Sequence, residues 1–108
     1  MRVDPGELRT ELVLEEASRT PDGAGGFTES WTGIATVFAR LQPIVVRDRF
    51  GADQTIEEVT HRVTIRHRPD VASGMRFVMG DRTLSILTVH DPDETGRYLV
   101  CRTREQGR

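Results

Sequence analysis

The chain has 108 residues, 36% of them hydrophobic and 30% charged, with a formal net charge of −2. That length suits one domain with a modest core, burying roughly 65% of the surface its unfolded chain exposes. The near-neutral charge gives the molecule as a whole no basic pull toward nucleic acid or a membrane, and the single cysteine, Cys101, excludes an internal disulfide and a four-cysteine zinc site.

All fifteen basic residues are arginine, and the chain has neither lysine nor asparagine. A GC-rich genome explains such a bias. Arginine also forms planar bidentate pairs with carboxylates at protein contacts better than lysine does. The stretch "MRVDPGELRTEL" lacks the apolar core of a signal peptide, and no apolar run approaches the roughly 18 residues a spanning helix needs. Synthesis in the cytoplasm and the absence of a membrane partner are therefore expected.

Alternation of apolar and polar residues dominates the chain. In "LRTELVLEEAS" (8–18), Leu8, Thr10, Leu12 and Leu14 share one face, with Arg9, Glu11, Val13 and Glu15 on the other. "SRTPDGAGGFTESW" (18–31) follows, with Gly23, Gly25 and Gly26 in its middle and Gly33 just beyond. A phosphate-binding glycine loop needs a following helix whose N-terminal amides face the anion. Here "FTESWTGIATVFA" follows, rich in Thr, Val, Ile and aromatics, and no Gly-Lys-Ser/Thr ending exists. Pro21-Asp22-Gly23 signals a turn, so the stretch is read as an exposed hairpin tip.

"GIATVFARLQP" (33–43) is a strand ending at Pro43. "IVVRDRFGADQTIEE" (44–58) is too long for a tight turn and too polar for a core strand, so a long loop or short helix is expected there. In "VTHRVTIRHRP", Val59, His61, Val63, Ile65 and His67 point one way, and Thr60, Arg62, Thr64, Arg66 and Arg68 the other. That pattern describes a half-buried strand with an arginine-rich polar face, ended by Pro69. "GMRFVMGDRTLSILTVHD" (74–91) reads as two strands joined at Gly80-Asp81, a pair suited to a II′ hairpin turn. "DPDETG" (91–96) connects to a last strand, "RYLVCRTR" (97–104). The fold class is all-β: a small antiparallel barrel or sandwich of five to six strands with one long loop or short helix at 44–58.

Candidate chemistry is sparse. His61 and His67 share a strand face but lie about 20 Å apart at strand rise, too far to bind one ion. His90 with Asp91, Asp93 and Glu94 lacks the ligand spacing of a calcium loop and reads as a solvated turn. Ser18, Ser30, Ser73 and Ser85 stand in no nucleophile-elbow context. Cys101, in mid-strand, reads as a buried inert thiol. The pairs Glu15-Glu16 and Glu57-Glu58 are adjacent on strands, so each pair points to opposite faces. No catalytic residue, metal site or cofactor is assigned. Arg62, Arg66 and Arg68 carry no interleaved aromatics, which favours a protein contact over a nucleic-acid one.

With the elements in order, the segments "GELRTELVLEEASRTPDGAGGFTESWTGIATVFARLQPI", "RFGADQTIEEVTHRVTIRHRPDVASGMRF" and "LSILTVHDPDETGRYLVC" resemble the phage head–tail adaptor or head-closure family. The resemblance spans nearly the whole chain. Its most distinctive parts are Gly6-Glu7-Leu8-Arg9, Asp22-Gly23-Ala24-Gly25-Gly26 with Trp31, Thr60-His61 leading into Val63, Ile65 and Arg66, and Gly74-Met75-Arg76.

The resemblance implies a non-enzymatic β-barrel subunit without a cofactor, made in the bacterial cytoplasm and assembled into the neck of a tailed phage, prophage or gene-transfer-agent virion. It implies a homo-oligomeric ring of six or twelve subunits. The ring would lie between a portal or portal adaptor and a tail terminator or tail-completion protein, with double-stranded DNA passing through unread and the channel closed after packaging. On that comparison Arg47, Asp48, Arg49, Phe50 and Gln54 line or gate the channel, with a short helix on the barrel wall as the plainer reading of the same segment. Arg62, Arg66 and Arg68 are the candidate ring contacts. Two alternatives stand beside this one: another neck component such as a tail-completion ring protein, and a small barrel that binds single-stranded nucleic acid. One tryptophan, one tyrosine and four phenylalanines offer that last reading few stacking platforms.

Overall fold

In the computed structural model, which describes residues 4–44 and 59–106, the alternating segments become six antiparallel strands. They are β1 (Thr10–Pro21), β2 (Phe27–Pro43), β3 (His61–Arg66), β4 (Arg76–Met79), β5 (Arg82–His90) and β6 (Tyr98–Glu105). They close into a barrel in the order β1-β2-β3-β6-β5-β4, with β4 pairing back onto β1. A short 3₁₀ turn, Pro5–Glu7, precedes β1 and is capped by Asp4, whose side chain accepts from the Gly6 amide at 2.9 Å.

Each strand sends alternate residues inward. Leu12 and Leu14 from β1, Val37 and Ala39 from β2, Val63 and Ile65 from β3, Phe77 from β4, Leu84 and Ile86 from β5, and Leu99 and Cys101 from β6 form one core. The register stacks these positions across the wall, with Leu14 opposite Phe77 and Phe77 opposite Leu84. Closing so small a sheet requires strongly bent strands. The register shifts at Leu14/Glu15 and at Ile86/Thr88 supply bends of the kind a β-bulge makes.

The β4–β5 turn is as the sequence implies: Gly80 has φ +59° and Asp81 is not left-handed, the combination a II′ turn requires. In the β5–β6 turn, Asp91 accepts from the amides of Gly96 at 2.7 Å and Asp93 at 3.3 Å, bonds that hold its carboxyl below its ordinary range. β3 differs from its expected form. It stops at Arg66, so His67 and Arg68 lie beyond it, and Thr64 is fully buried beside outward-facing Val100, itself 3% exposed. Alternation implies a solvated outer face for β3, yet an outer face stays wet only where no other part of the fold lies over it.

An ion pair links the start of β5 to the end of β6. Glu105 points inward on β6, and Arg82 meets its carboxylate twice, at 2.8 and 3.1 Å, while the Glu105 amide donates to Thr60 Oγ1 at 2.7 Å. The Glu105 side chain is only 5% exposed, against 31% for Arg82. Removing the arginine takes two charge-assisted hydrogen bonds from a nearly buried carboxylate. Arg82→Ala is expected to cost about 2 kcal/mol, below the full price of an enclosed pair because the arginine side remains open to water. The shift in urea midpoint measures it, and Arg82→Met with Glu105→Leu should recover most of the loss.

Candidate assembly interface

Beyond the register shift at Leu14/Glu15, β1 and β2 leave the barrel together. β4 pairs with β1 only at Val13–Glu15, and β3 pairs with β2 only from Ala39 to Pro43. Glu16–Pro21 and Phe27–Thr32 therefore pair only with each other, as a two-stranded arm roughly 20 Å long at strand rise. Nearly every residue of it is exposed. One face carries Glu16, Ser18 and Thr20 opposite Thr32, Ser30 and Thr28, with the Ser18 and Ser30 hydroxyls 2.9 Å apart. The other face carries Ala17, Arg19 and Pro21 opposite Trp31, Glu29 and Phe27.

The arm's tip is the glycine-rich stretch. Asp22 Oδ1 accepts from the amides of Ala24 at 2.8 Å and Gly26 at 3.1 Å, and these bonds keep its carboxyl below the ordinary range. Gly23 and Gly25 adopt φ of +81° and +85°, and a Cβ on Gly26 would stand 2.9 Å from Asp22 Oδ2. The glycines serve a tight turn, as expected, and a strand rather than a helix follows them.

At the base of the arm, Arg76 of β4 donates to Glu15 Oε1 at 2.7 Å while its guanidinium lies 4.0 Å from the centroid of the Trp31 ring. The contact ties residues of both β1 and β2 at the arm's base to β4 of the barrel wall.

A groove of about 450 Å³ opens on the wall at the other end of the β1–β2 pair, lined by Pro5, Leu8, Thr36, Val37, Phe38, Arg66, His67 and Arg68. Phe38 is 56% exposed there, and Phe27 at the arm tip is 64% exposed; among the described residues these are the exposed large hydrophobics. Of the cations nearby, Arg68 is held bidentately by Asp70 at 2.9 and 3.0 Å, and Arg40 pairs with Glu7 at 3.0 Å. Arg66 has no acid partner among the described residues.

The candidate contact arginines thus separate. Arg62 and Arg66 are exposed on β3, whereas Arg68 sits past the strand end on Asp70. Register reveals a neighbour that the sequence reading missed: Arg62 lies directly opposite Arg102, in an outward row Gln42–Arg62–Arg102–Thr88, with exposed Arg104 two residues on. Like charges opposite one another destabilise a sheet, so this row suits an acidic partner. The signal lay in "VCRTR", but only the β3–β6 pairing shows which arginine it meets. The contacts of Trp31 and the exposure of Phe38 were likewise invisible.

Arg47, Asp48, Arg49, Phe50 and Gln54 lie outside the described residues. Cys101 is fully buried, and burial pushes its thiol up to about 12, far from a nucleophile's range. His61 Nδ1 lies 2.9 Å from Thr60 Oγ1, His67 stands at the groove, and His90 ends β5. Among the described residues no group of three His, Cys, Asp or Glu side chains is placed to hold a metal ion, and no helix is long and apolar enough to cross a membrane.

The model of the phage head completion protein family matches residues 3–106. The chain belongs to that family. It is not an enzyme family. Two solved structures are similar to this head completion chain. One, a chain of the virion of a native gene transfer agent particle, is 34% identical, with a TM-score of 0.67 over 90% of this chain and 93% of that one. The other, the solution structure of protein SF1141 from Shigella flexneri 2a, has a TM-score of 0.72 over 97% and 98% of the two chains; at 24% identity it speaks for the fold alone. No curated protein matches. The resemblance to a head-closure family, the all-β class and the barrel are thereby established, and the strands lie close to where alternation placed them.

Proposed function

We propose that this chain is a structural neck subunit of a tailed phage-like particle, joining head to tail as a homo-oligomeric ring. The ring sits between a portal or portal adaptor and a tail-terminator or tail-completion protein. Double-stranded DNA passes through it without sequence recognition, and the ring helps retain that DNA after packaging. The likeness to a chain of a gene transfer agent virion, at 34% identity over nine-tenths of this chain, carries the reading. The structure supports it through surfaces of the right kind: a closed barrel, an arm whose two strands beyond the wall pair only with each other, and arginines Arg62 and Arg66 with no acid partner among the described residues.

Negative-stain imaging of particles from a strain lacking the gene tests this directly. Full heads without tails, or emptied heads beside free tails, are expected. Intact tailed particles would overturn the neck assignment.

A further inference from the structure

Resting on that assembly reading, we propose that copies join head to tail, the arm tip of one seating Phe27 in the Phe38 groove of the next with Asp22 facing Arg66.

The two exposed phenylalanines lie on one strand, eleven positions apart (38 − 27), or roughly 36 Å at strand rise. β2 is continuous between them, so they cannot meet within a copy. Their settings are complementary. Phe27 stands on a convex tip; Phe38 lies in a concavity with Pro5, Leu8 and Val37 as its apolar lining. At about 450 Å³ the groove falls within the range that holds small ligands and has room for one aromatic side chain.

The charges agree with the shapes. Pro21 pairs with Phe27, and the Asp22 carboxylate accepts from the amide of Gly26, the residue before Phe27, so the tip carries an acid together with its exposed aromatic. At the groove, Arg68 and Arg40 are already neutralised by Asp70 and Glu7, which leaves Arg66 as the cation of the rim without an acid partner among the described residues. Both amide hydrogen bonds that the Asp22 carboxylate accepts go to Oδ1, which leaves Oδ2 for a guanidinium. A tip and a groove on different parts of one molecule make a heterologous contact, the kind that closes into rings when its rotation permits. Against a second copy, both exposed apolar side chains and both opposite charges are satisfied at once.

The test leaves the phenylalanines in place. A chain carrying Glu29→Cys on the Phe27 face of the arm and His67→Cys at the groove is built into particles, which are purified and treated with a short bis-maleimide. Covalent multimers of this chain are expected from the double variant and none from either single variant, with Cys101 buried and silent. Adding Phe27→Ser or Phe38→Ser should lower the cross-linked yield by about tenfold or more, in line with the loss of one buried aromatic side chain. Three results would overturn the proposal while leaving the neck assignment standing: chain present in particles but not cross-linked, dimers from Glu29→Cys alone, or cross-links from His67→Cys to a different virion protein. Absence of the wild-type chain from particles removes both readings.

Discussion

Replacing Phe77 by alanine is expected to cost about 3–5 kcal/mol, a large part of the roughly 5–15 kcal/mol that holds a domain of this size folded. Phe77 is fully buried and is the largest of the fully buried side chains among the described residues. It sits on β4, a strand of four residues, and its register partners are Leu14 on β1 and Leu84 on β5. β4 is the element through which the barrel closes, so the cavity opens where the wall is shortest. A truncated ring also leaves a hole that rigid neighbours fill poorly, since Leu14 and Leu84 are held by hydrogen-bonded strands on both sides. Urea unfolding measures the effect. With a slope of about 1–3 kcal/mol per molar, the midpoint should fall by about 2 M. A loss below about 1 kcal/mol would mean that the core does not depend on this ring.

Shortening the arm should give the opposite combination: an intact barrel and a failed assembly. Ser18 and Ser30 are register partners, so Arg19–Glu29 can be replaced by Asn-Gly, a two-residue turn suited to strands of this twist. The residues removed are almost all exposed and pair only among themselves, while Trp31, Arg76 and Glu15 at the arm base are kept. Stability should change by no more than about 0.5 kcal/mol, the ordinary range for surface changes. The yield of joined particles should fall by at least about a hundredfold, because a contact repeated around a ring is lost from every copy at once. A shortened chain that unfolds would show that the arm supports the barrel. Normal particle yield would remove the arm from assembly.

Much of this fold is legible from alternation and turn chemistry. Leu12 and Leu14, or Val63 and Ile65, two apart among polar residues, must share a buried face, because a strand's side chains alternate sides. Asp22-Gly23 and Gly80-Asp81 mark turns because glycine reaches left-handed angles without steric cost. The buried state of Cys101 likewise follows from alternation, since it shares the inward face of its strand with Leu99 while Arg102 points the other way. Thr64 points outward as alternation implies but is fully buried, since nothing local tells which outward position the rest of the fold will cover.

The residues alone thus determine strand positions, inward faces, hairpin turns and, through their order along the chain, the head completion family. Strand register and barrel closure decide everything that depends on distant residues meeting. They place Arg62 against Arg102, lay Arg76 between Glu15 and Trp31, and free the far half of β1 and β2 as an arm. They also leave Phe27 exposed at the arm tip and Phe38 exposed on the barrel wall. Local sequence sets which way a side chain points relative to its own strand, whereas what it touches is set by strands many residues away, brought beside it only when the barrel closes.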